Sequence, residues 1–385
     1  MEFPAELPTM TTWSVVKDDS RENRRRARLP RHLPRLALLA CLALVVISLG
    51  MVLQPGKPQE PQEPPPSERA RAAALADALQ LKAAGEQLGA APSDPAIAAP
   101  AAAALPAVTR TVSLLTTQAR ALLPGPVQAA QPAPTTSAPT ASAPATVTNL
   151  VADLARSGRQ RLTDAAAADG GMARLLAAVG TGQLLQSSSL AAAAGIPDPA
   201  AGLPDLGPAA AATAGPSCPA APASAGAPGG SGAGTGADGN AGLPGALAAL
   251  IRTELETVYD YQVALTRLDG AAAKTAAEDL ARHEALVAGA ESLSRAHCAP
   301  IPPREAGYAL DPAFLASPGP GLAALETAAL PAYGDLVAFS DGDTRRWAIT
   351  GLVAAARRAA FWGATTDAVP GLAADPATFP TLPSG

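Results

Sequence analysis

The sequence has 385 residues, of which 48% are hydrophobic but only 3% aromatic, so alanine supplies much of the apolar content. Proline and glycine number 40 and 34, and charged residues make up 16% of the chain, against roughly 25% in ordinary soluble domains. Alanine favours helix but buries little surface, so this composition excludes a chain packed throughout into large-cored domains. It predicts one compact helical domain joined to long, weakly folded sequence.

The formal net charge of −5 is unevenly placed, because a basic leader, residues 1–35, precedes an acidic remainder. Residues 36–53 follow as eighteen uncharged and almost wholly apolar positions. A helix of that length spans about 27 Å, close to the hydrocarbon thickness of a bilayer. The leader's cations then act as a positive-inside signal that leaves the N-terminus in the cytoplasm. No aromatic residues interleave with these cations to stack on bases, so we expect no nucleic-acid partner.

The fate of this apolar segment has several open interpretations. An uncleaved transmembrane signal anchor is favoured, with the lipid bilayer as partner through residues 36–53. The letters LLAC, ending at Cys41, resemble a lipidation signal, but the apolar run lies mostly after the cysteine. Small residues at 48–50 are compatible with ordinary signal cleavage. In every case we expect a cell-membrane or exported protein whose C-terminal domain is extracytoplasmic.

Low-complexity sequence connects this segment to the C-terminal third. Residues 54–148 are rich in Ala and Pro, which predicts a stalk with helical pieces at 67–88 and about 109–123. Residues 149–194 predict an Ala-rich helical segment interrupted by the letters DGG. Residues 195–243 are dominated by Gly, Pro and Ala and predict a disordered linker. A GxGxxG spacing in that linker does not indicate a phosphate-binding loop, because no strand precedes it.

Aromatic and charged residues return after Pro244, and residues 244–372 predict an all-α, ferritin-like four-helix bundle, with a tail at 373–385. The four helices are expected at 246–268, 272–297, 322–339 and 344–365. Short turns join the first pair and the second pair. The prolines between the pairs forbid a long helix there, and short hairpin, long crossover, short hairpin is a ferritin-like connection.

The residues of this bundle also resemble those of a known family. On the first helix Glu254 is followed by Tyr259 and Tyr261, and RHEALVAGAESL lies on the second. A Pro-rich PP…YAL crossover, LE…YGDLV and ARRAAFWG…PGL follow in that order. In these elements the chain resembles the actinobacterial ferritin-like domain of unknown function, domain-of-unknown-function family 4439, over roughly residues 245–372. The resemblance implies a ferritin-like bundle outside the membrane and no established activity.

An acidic residue interrupts the apolar stripe of the first predicted helix. Glu254 stands where helical spacing demands a core residue, and a buried carboxylate is costly unless it is paired, hydrogen-bonded or bound to a metal. The structural interpretation is that Arg357 or Arg358 of the fourth helix neutralises it. Tyr261 or Tyr333 would then donate a hydrogen bond to it.

A metal site is the alternative explanation. Ferritin-like di-iron sites take a Glu from each of two helices and Glu-x-x-His from each of the other two. The acids that face inward or nearly so are Glu254, Glu284 or Glu291, and Glu326. No Glu stands three residues before His283, and the fourth helix has no acid, so we do not expect a complete di-iron site. A mononuclear iron or manganese site of Glu254, His283 and Glu326 stays open, although His283 is otherwise expected at the boundary of the core.

The remaining side chains with recognisable chemistry have simpler explanations. Tyr259, Trp362 and the other bundle aromatics are expected to be core anchors rather than parts of a cofactor site. Three histidines do not provide a nucleophile–base arrangement for catalysis. Cys218 and Cys298 would face an oxidising compartment, where they either form a disulfide or remain two independent thiols.

Together these features predict a membrane-anchored, single-pass protein whose bundle is a non-enzymatic interaction or ligand-binding module of the cell envelope. Its partner would be a cell-envelope protein or ligand, and no cofactor is expected. The alternative is a metal-binding or oxidoreductase bundle that uses iron or manganese. The sequence leaves the ligand and any enzymatic activity open.

Overall fold

A computed structural model of the chain describes residues 38–44, 64–90, 98–124, 146–201, 242–365 and 367–383. These residues form helices and no strands, which confirms the all-α prediction for the described part of the chain. The chain divides into two units, Met1–Glu63 and Pro64–Gly385. In the first unit the described residues 38–44 are helical (α1), and four of them are exposed leucines. The basic leader and most of the predicted anchor lie outside the described residues.

Four helices form the N-terminal half of the second unit: α2 (Pro66–Ala90), α3 (Ala98–Leu122), α4 (Val147–Ala167) and α5 (Gly170–Ala194). α2 packs on α3, α4 packs on α5, and contacts of α3 with α5 and of α2 with α4 complete the group. The side chains of Thr146 and Asp169 cap the N-termini of α4 and α5. Gly195, at a φ of 65°, ends α5 in the left-handed conformation.

This half differs from the stalk with helical pieces that the composition predicts for residues 54–148. Ala74 and Ala78 of α2 are buried in one apolar cluster with Leu176 of α5 and Ile251 of the C-terminal half. Small residues let the helices approach closely: a Cβ added to Gly180 of α5 would lie 2.8 Å from the carbonyl oxygen of α4's Gly158. Close backbone packing therefore compensates for the little surface that each alanine buries.

The C-terminal half contains α6 (Leu243–Leu265), α7 (Gly270–Ala296), the short α8 (Pro312–Ala316), α9 (Pro318–Phe339) and α10 (Gly342–Phe361), followed by a 3-10 turn at Pro376–Thr378. α6 and α7 form one hairpin and α9 and α10 form another, and α6 also packs on α9. The connection between the hairpins is long, and its only helix is the short α8. These boundaries agree with the helices predicted from the sequence to within a few residues.

Polar side chains connect the two halves into one core. Arg174 of α5 donates to Asp335 of α9 at 2.5 Å and to the carbonyl oxygen of Gly371 at 2.9 Å. Gln118 of α3 donates to the carbonyl oxygen of Ala368 at 2.7 Å. Since α5 also packs on α9 and α10, the C-terminal half is not an independent bundle on a tether. Residues 202–241 of the predicted linker lie outside the described residues.

Among the helices that the structure describes, α9 is the one that is long and apolar enough to cross a membrane, judged by length and composition. More than half of its apolar stretch is buried inside the protein. Its fully buried Glu326 and Tyr333 are typical of a polar network within a protein core. The core helices of water-soluble proteins meet the same criterion, so this helix alone carries no conclusion about topology.

The close packing of α4 on α5 can be tested with two glycine substitutions in residues 64–385. Gly180→Ala should lower the thermal unfolding midpoint, because the added Cβ would meet the α4 backbone, and overpacking costs about 1–3 kcal/mol. Gly89→Ala is the matched control, since a Cβ there meets no atom within 4 Å. Equal midpoints for the two variants, measured by circular dichroism, would contradict the packed N-terminal half.

Candidate functional site

Glu254 of α6 is completely buried in the C-terminal half. One of its oxygens, Oε2, lies 2.7 Å from Nδ1 of His283 on α7, and the other, Oε1, accepts a hydrogen bond of 2.6 Å from the phenol of Tyr333 on α9. The second ring nitrogen of His283, Nε2, lies 2.8 Å from Oε1 of Glu326 on α9. One imidazole therefore joins two buried carboxylates.

Glu326 collects the remaining partners. Its Oε1 also accepts hydrogen bonds from the phenol of Tyr261 on α6 at 2.8 Å and from Nε of Arg358 on α10 at 2.7 Å. We refer to these six residues as the polar cluster: Glu254, Tyr261, His283, Glu326, Tyr333 and Arg358. Arg358 is 9% exposed and the other five are fully buried, so the cluster lies in the dry interior of the bundle.

The spacing of residues along α6 and α9 explains how the cluster assembles. Tyr261 follows Glu254 by seven residues, and Tyr333 follows Glu326 by seven residues, which places each pair two turns apart on one helix face. Each phenol donates to the glutamate of the other helix. The second helix of each hairpin supplies the cation, His283 for Glu254 and Arg358 for Glu326.

A glycine makes room for one of the two phenols. A Cβ on Gly351 of α10 would overlap the ring of Tyr333, and the overlapping atoms belong to a ring packed among buried residues. Trp347, one turn before Gly351 on α10, has its ring centroid 6.4 Å from that of Tyr333. The phenol is thereby held with its oxygen directed at Glu254.

The charges of the cluster set its protonation states. Burial alone would lower the pKa of His283, but the carboxylates of Glu254 and Glu326 outweigh it and raise this pKa to about 9. Burial raises the pKa of Glu326, but Arg358 and His283 outweigh it and lower this pKa to about 2. An imidazolium and a guanidinium thus face two carboxylates, and the cluster is formally neutral.

The two phenols remain protonated donors in this environment. Burial, reinforced by the negative charge of Glu326, raises the pKa of Tyr261. Burial and the charge of Glu254 raise the pKa of Tyr333 well above its usual value. Two polar atoms of the cluster lack a hydrogen-bond partner although they are buried: Oε2 of Glu326 and Nη2 of Arg358. A buried unpartnered polar atom lowers stability unless something else binds it.

The structure distributes the predicted partners of Glu254 differently from the sequence interpretation. Tyr333 does contact Glu254, but Tyr261 and Arg358 bind Glu326 instead. Arg357 lies on a different face of α10 and donates to the carbonyl oxygen of Ala200. Helical periodicity identifies the inward face of each helix, but it does not determine which inward residues lie at the same depth.

The position of His283 corrects a second expectation. The sequence interpretation placed it at the boundary of the core, whereas its side chain is fully buried. The neighbouring acids of α7 do not enter the cluster: Glu284 is exposed, and Glu291 pairs with Arg304 at 3.0 Å. The sequence did contain a signal: Glu-x6-Tyr occurs twice, and in the structure the helix that follows each copy supplies a cation to its glutamate.

Glu254, His283 and Glu326, the candidate metal ligands of the sequence analysis, do come together. Even so, no group of three or more His, Cys, Asp or Glu side chains in the described ranges is arranged to hold a metal ion. The physical reason is that both ring nitrogens of His283 point at carboxylate oxygens. An imidazolium has no free lone pair to offer a metal.

The other residues singled out by the sequence lie around the cluster. Trp362 donates from Nε1 to Asp279 of α7 at 3.2 Å, and its ring packs edge-on against Tyr261. Tyr259 packs against Tyr308 of the long connection, with ring centroids 5.6 Å apart. Both aromatics therefore lie where a packing role is expected.

The cysteines can be described in part. Cys298 is disulfide-bonded, and Cys41 is a free cysteine. Cys218 lies outside the described residues, so its pairing with Cys298 stays a prediction. Cys298 also adopts a φ of 52°, at the point where the chain leaves α7 for the long connection.

Comparison with protein families locates a known domain in this half of the chain. A domain of unknown function, DUF4439, matches residues 246–374. This range contains the whole polar cluster and none of α2–α5, and it confirms the resemblance to that domain family noted from the sequence. No curated protein and no solved structure matches the chain.

The polar cluster predicts a pH optimum for stability. The contribution of His283 is complete below its ordinary pKa of 6.5 and is lost as the pH rises towards its raised pKa of about 9. The contribution of Glu326 is complete above its ordinary pKa of 4.5 and is lost as the pH falls towards its lowered pKa of about 2. The unfolding midpoint of residues 64–385 should therefore be highest between these two ordinary pKa values. An NMR titration in which the His283 ring deprotonates near 6.5 would contradict the arrangement.

Removal of one carboxylate tests whether the cluster stabilises the fold. Glu254→Ala should lower the thermal midpoint by at least several degrees, because breaking a buried ion pair costs about 3–5 kcal/mol. Glu284→Ala, which removes an exposed carboxylate one residue after His283, is the matched control and should change stability by no more than about 0.5 kcal/mol. If Glu254→Ala melts like the control, Glu254 is solvated and unpaired.

Proposed function

We propose that this protein is a membrane-anchored, extracytoplasmic, non-enzymatic interaction or ligand-binding module of the cell envelope. In this proposal its C-terminal half is a ferritin-like bundle of the actinobacterial kind. The observation that carries the proposal is the charge balance of the polar cluster. His283 and Arg358 supply, from the protein itself, the positive charge that metal ions supply to the carboxylates of a di-iron bundle.

Support for the ferritin-like assignment comes from how the helices are connected. The hairpin of α6 and α7, the long connection and the hairpin of α9 and α10 follow the order expected for that fold. The exchange of phenol hydrogen bonds between α6 and α9 adds a repeat that relates the two hairpins.

Support for the membrane anchor comes from the sequence of residues 1–53. The basic leader and the eighteen apolar residues predict one span with the N-terminus in the cytoplasm. The helical and exposed leucines of α1 are compatible with contact to lipid. The compact unit that follows would then face the cell envelope, an oxidising compartment in which a disulfide at Cys298 is stable.

The second candidate function is a bundle that binds iron or manganese, with or without oxidoreductase activity. One observation favours it: Oε2 of Glu326 is a buried carboxylate oxygen without a partner, a few ångströms from His283. Metal binding there would require His283 to lose its proton and Arg358 to withdraw from Glu326, because both cations repel a metal ion.

Metal content distinguishes the two functions. We expect residues 64–385, purified without affinity metal and then exposed to Fe²⁺ or Mn²⁺, to contain far less than one equivalent by elemental mass spectrometry. The protein should unfold cooperatively without metal, because the cluster is already neutral. About one or two equivalents of metal that disappear in Glu326→Gln, with no loss from the exposed control Glu284→Gln, would overturn the proposal in favour of the second function.

A further inference from the structure

A cleft of about 350 Å³ opens between α7 and α10. Arg282 of α7 and Arg357 of α10 line it, together with Phe361, which is 64% exposed. Arg358 also reaches the lining, but Glu326 of the polar cluster balances its charge. The cleft therefore presents two arginines outside the cluster with an aromatic ring beside them.

The chain reaches this cleft directly after α5. Arg159 of α4 donates to the carbonyl oxygen of Pro199, and Arg357 donates to the carbonyl oxygen of Ala200. Ala200 is fully buried. An arginine of the cleft thus holds the end of this described stretch, and the chain leaves Ala201 beside the cleft.

A second fixed point of the chain lies at the other end of α7. Cys298, which follows α7, is disulfide-bonded, whereas Cys41 is free. The sequence contains three cysteines, so Cys218 is the partner that remains for Cys298. The two thiols lose two protons and two electrons when this bond forms, and a disulfide-exchanging oxidant accepts both.

The length of chain between these two points fits the distance between them. Thr344, thirteen residues before Arg357 on α10, has its Oγ1 2.8 Å from Nε2 of His297, the neighbour of Cys298. Thirteen helical residues rise about 20 Å, which approximates the distance from the cleft to Cys298. The chain from Ala201 to position 218 spans about 55 Å when extended. It is therefore long enough to follow α7 and α10 from the cleft to Cys298.

Charge distinguishes one residue of this stretch. Residues 202–217 carry a single charged side chain, Asp205. It stands four residues after Ala201, so it lies within about 13 Å of it. Arg282 pairs with the buried Asp279, and both Arg282 and Arg357 have further interactions. A carboxylate carried by the chain itself matches the two guanidinium groups at this point.

We propose that residues 202–217 dock along the side of the bundle formed by α7 and α10. Asp205 lies against Arg282 and Arg357 at the cleft, and a disulfide of Cys218 with Cys298 fixes the far end of the segment. The cleft is then an intramolecular docking surface, and its occupant is a segment of the same chain. This inference goes beyond the proposed function and does not depend on it.

Disulfide mapping tests the far end of the segment in the unmodified full chain, held in nanodiscs. Digestion without reductant should yield two peptides joined through Cys218 and Cys298, which separate on reduction. Two free thiols would overturn the proposal, as would a bond from Cys298 to a second copy of the chain.

Serine variants test the same bond through stability. Cys218→Ser and Cys298→Ser should lower the thermal midpoint by the same several degrees, because each frees the unfolded chain from one constraint, and the double variant should lower it no further. Cys41→Ser removes a free thiol and is the matched control, which should leave the midpoint unchanged. A lowered midpoint in Cys298→Ser without the same change in Cys218→Ser would contradict the pairing.

Photocrosslinking tests where the segment lies. In the full chain, p-benzoylphenylalanine in place of Phe361 should be joined on irradiation to residues 202–217, as located by peptide mass spectrometry. Phe339, 48% exposed at the end of α9, is the matched control, and the same replacement there should give no such product. Cross-links from position 361 only to lipid or to a second copy, or none at all, would overturn the proposal.

Charge reversal tests the role of Asp205. Asp205→Lys should lower the yield of the cross-linked product at least about twofold, because Arg282 and Arg357 repel the new lysine. Asp238→Lys reverses an acid beyond Cys218 in the same linker and should leave the yield unchanged. Equal yields for the two variants would overturn the placement of Asp205.

Discussion

The imidazole of His283, shared between two buried carboxylates, is the interaction on which the C-terminal half depends. A carboxylate buried in a dry core is costly unless a cation or a hydrogen-bond donor lies next to it. The imidazolium pairs with both glutamates: Nδ1 lies 2.7 Å from Glu254 Oε2 and Nε2 lies 2.8 Å from Glu326 Oε1. Arg358 adds the second positive charge, with its Nε 2.7 Å from Glu326 Oε1. The members of the polar cluster lie on four helices. These helices therefore cannot slide past one another without leaving a buried charge unpaired.

The two hairpins contribute the same set of side chains to the polar cluster. Each hairpin contributes a glutamate and a tyrosine seven residues apart on its first helix and a cation on its second. Within a hairpin the glutamate meets its own cation, while each tyrosine crosses to the glutamate of the other hairpin. The ion pairs thus balance the buried carboxylates, and the two phenol hydrogen bonds join the hairpins together with the contact of His283 to Glu326.

The N-terminal half shows how a core can be made from small side chains. α5 is buried on nearly all sides because it packs on α4 and α3 and also on α9 and α10. Its glycines allow neighbouring backbone and polar groups to contact the helix directly. At Gly182, for example, an added Cβ would lie only 2.9 Å from the side-chain amide nitrogen of Gln118, too close for a side chain. Those polar contacts then extend to the C-terminal half, where Gln118 binds the carbonyl oxygen of Ala368. The known domain family matches the C-terminal half, and the apolar core of that half continues into the N-terminal helices.

The sequence by itself determined the helices, the two C-terminal hairpins, the domain family and the anomaly of Glu254, because turns, prolines and helical periodicity are local signals. The tertiary structure decided that Glu326 rather than Glu254 binds Arg358, that His283 is fully buried, and that an alanine-rich region packs instead of forming a stalk. Periodicity shows which face of a helix is inward, but the partner of a buried charge depends on the depth and rotation of neighbouring helices. Those are set by close packing across residues distant in sequence, which no local pattern records.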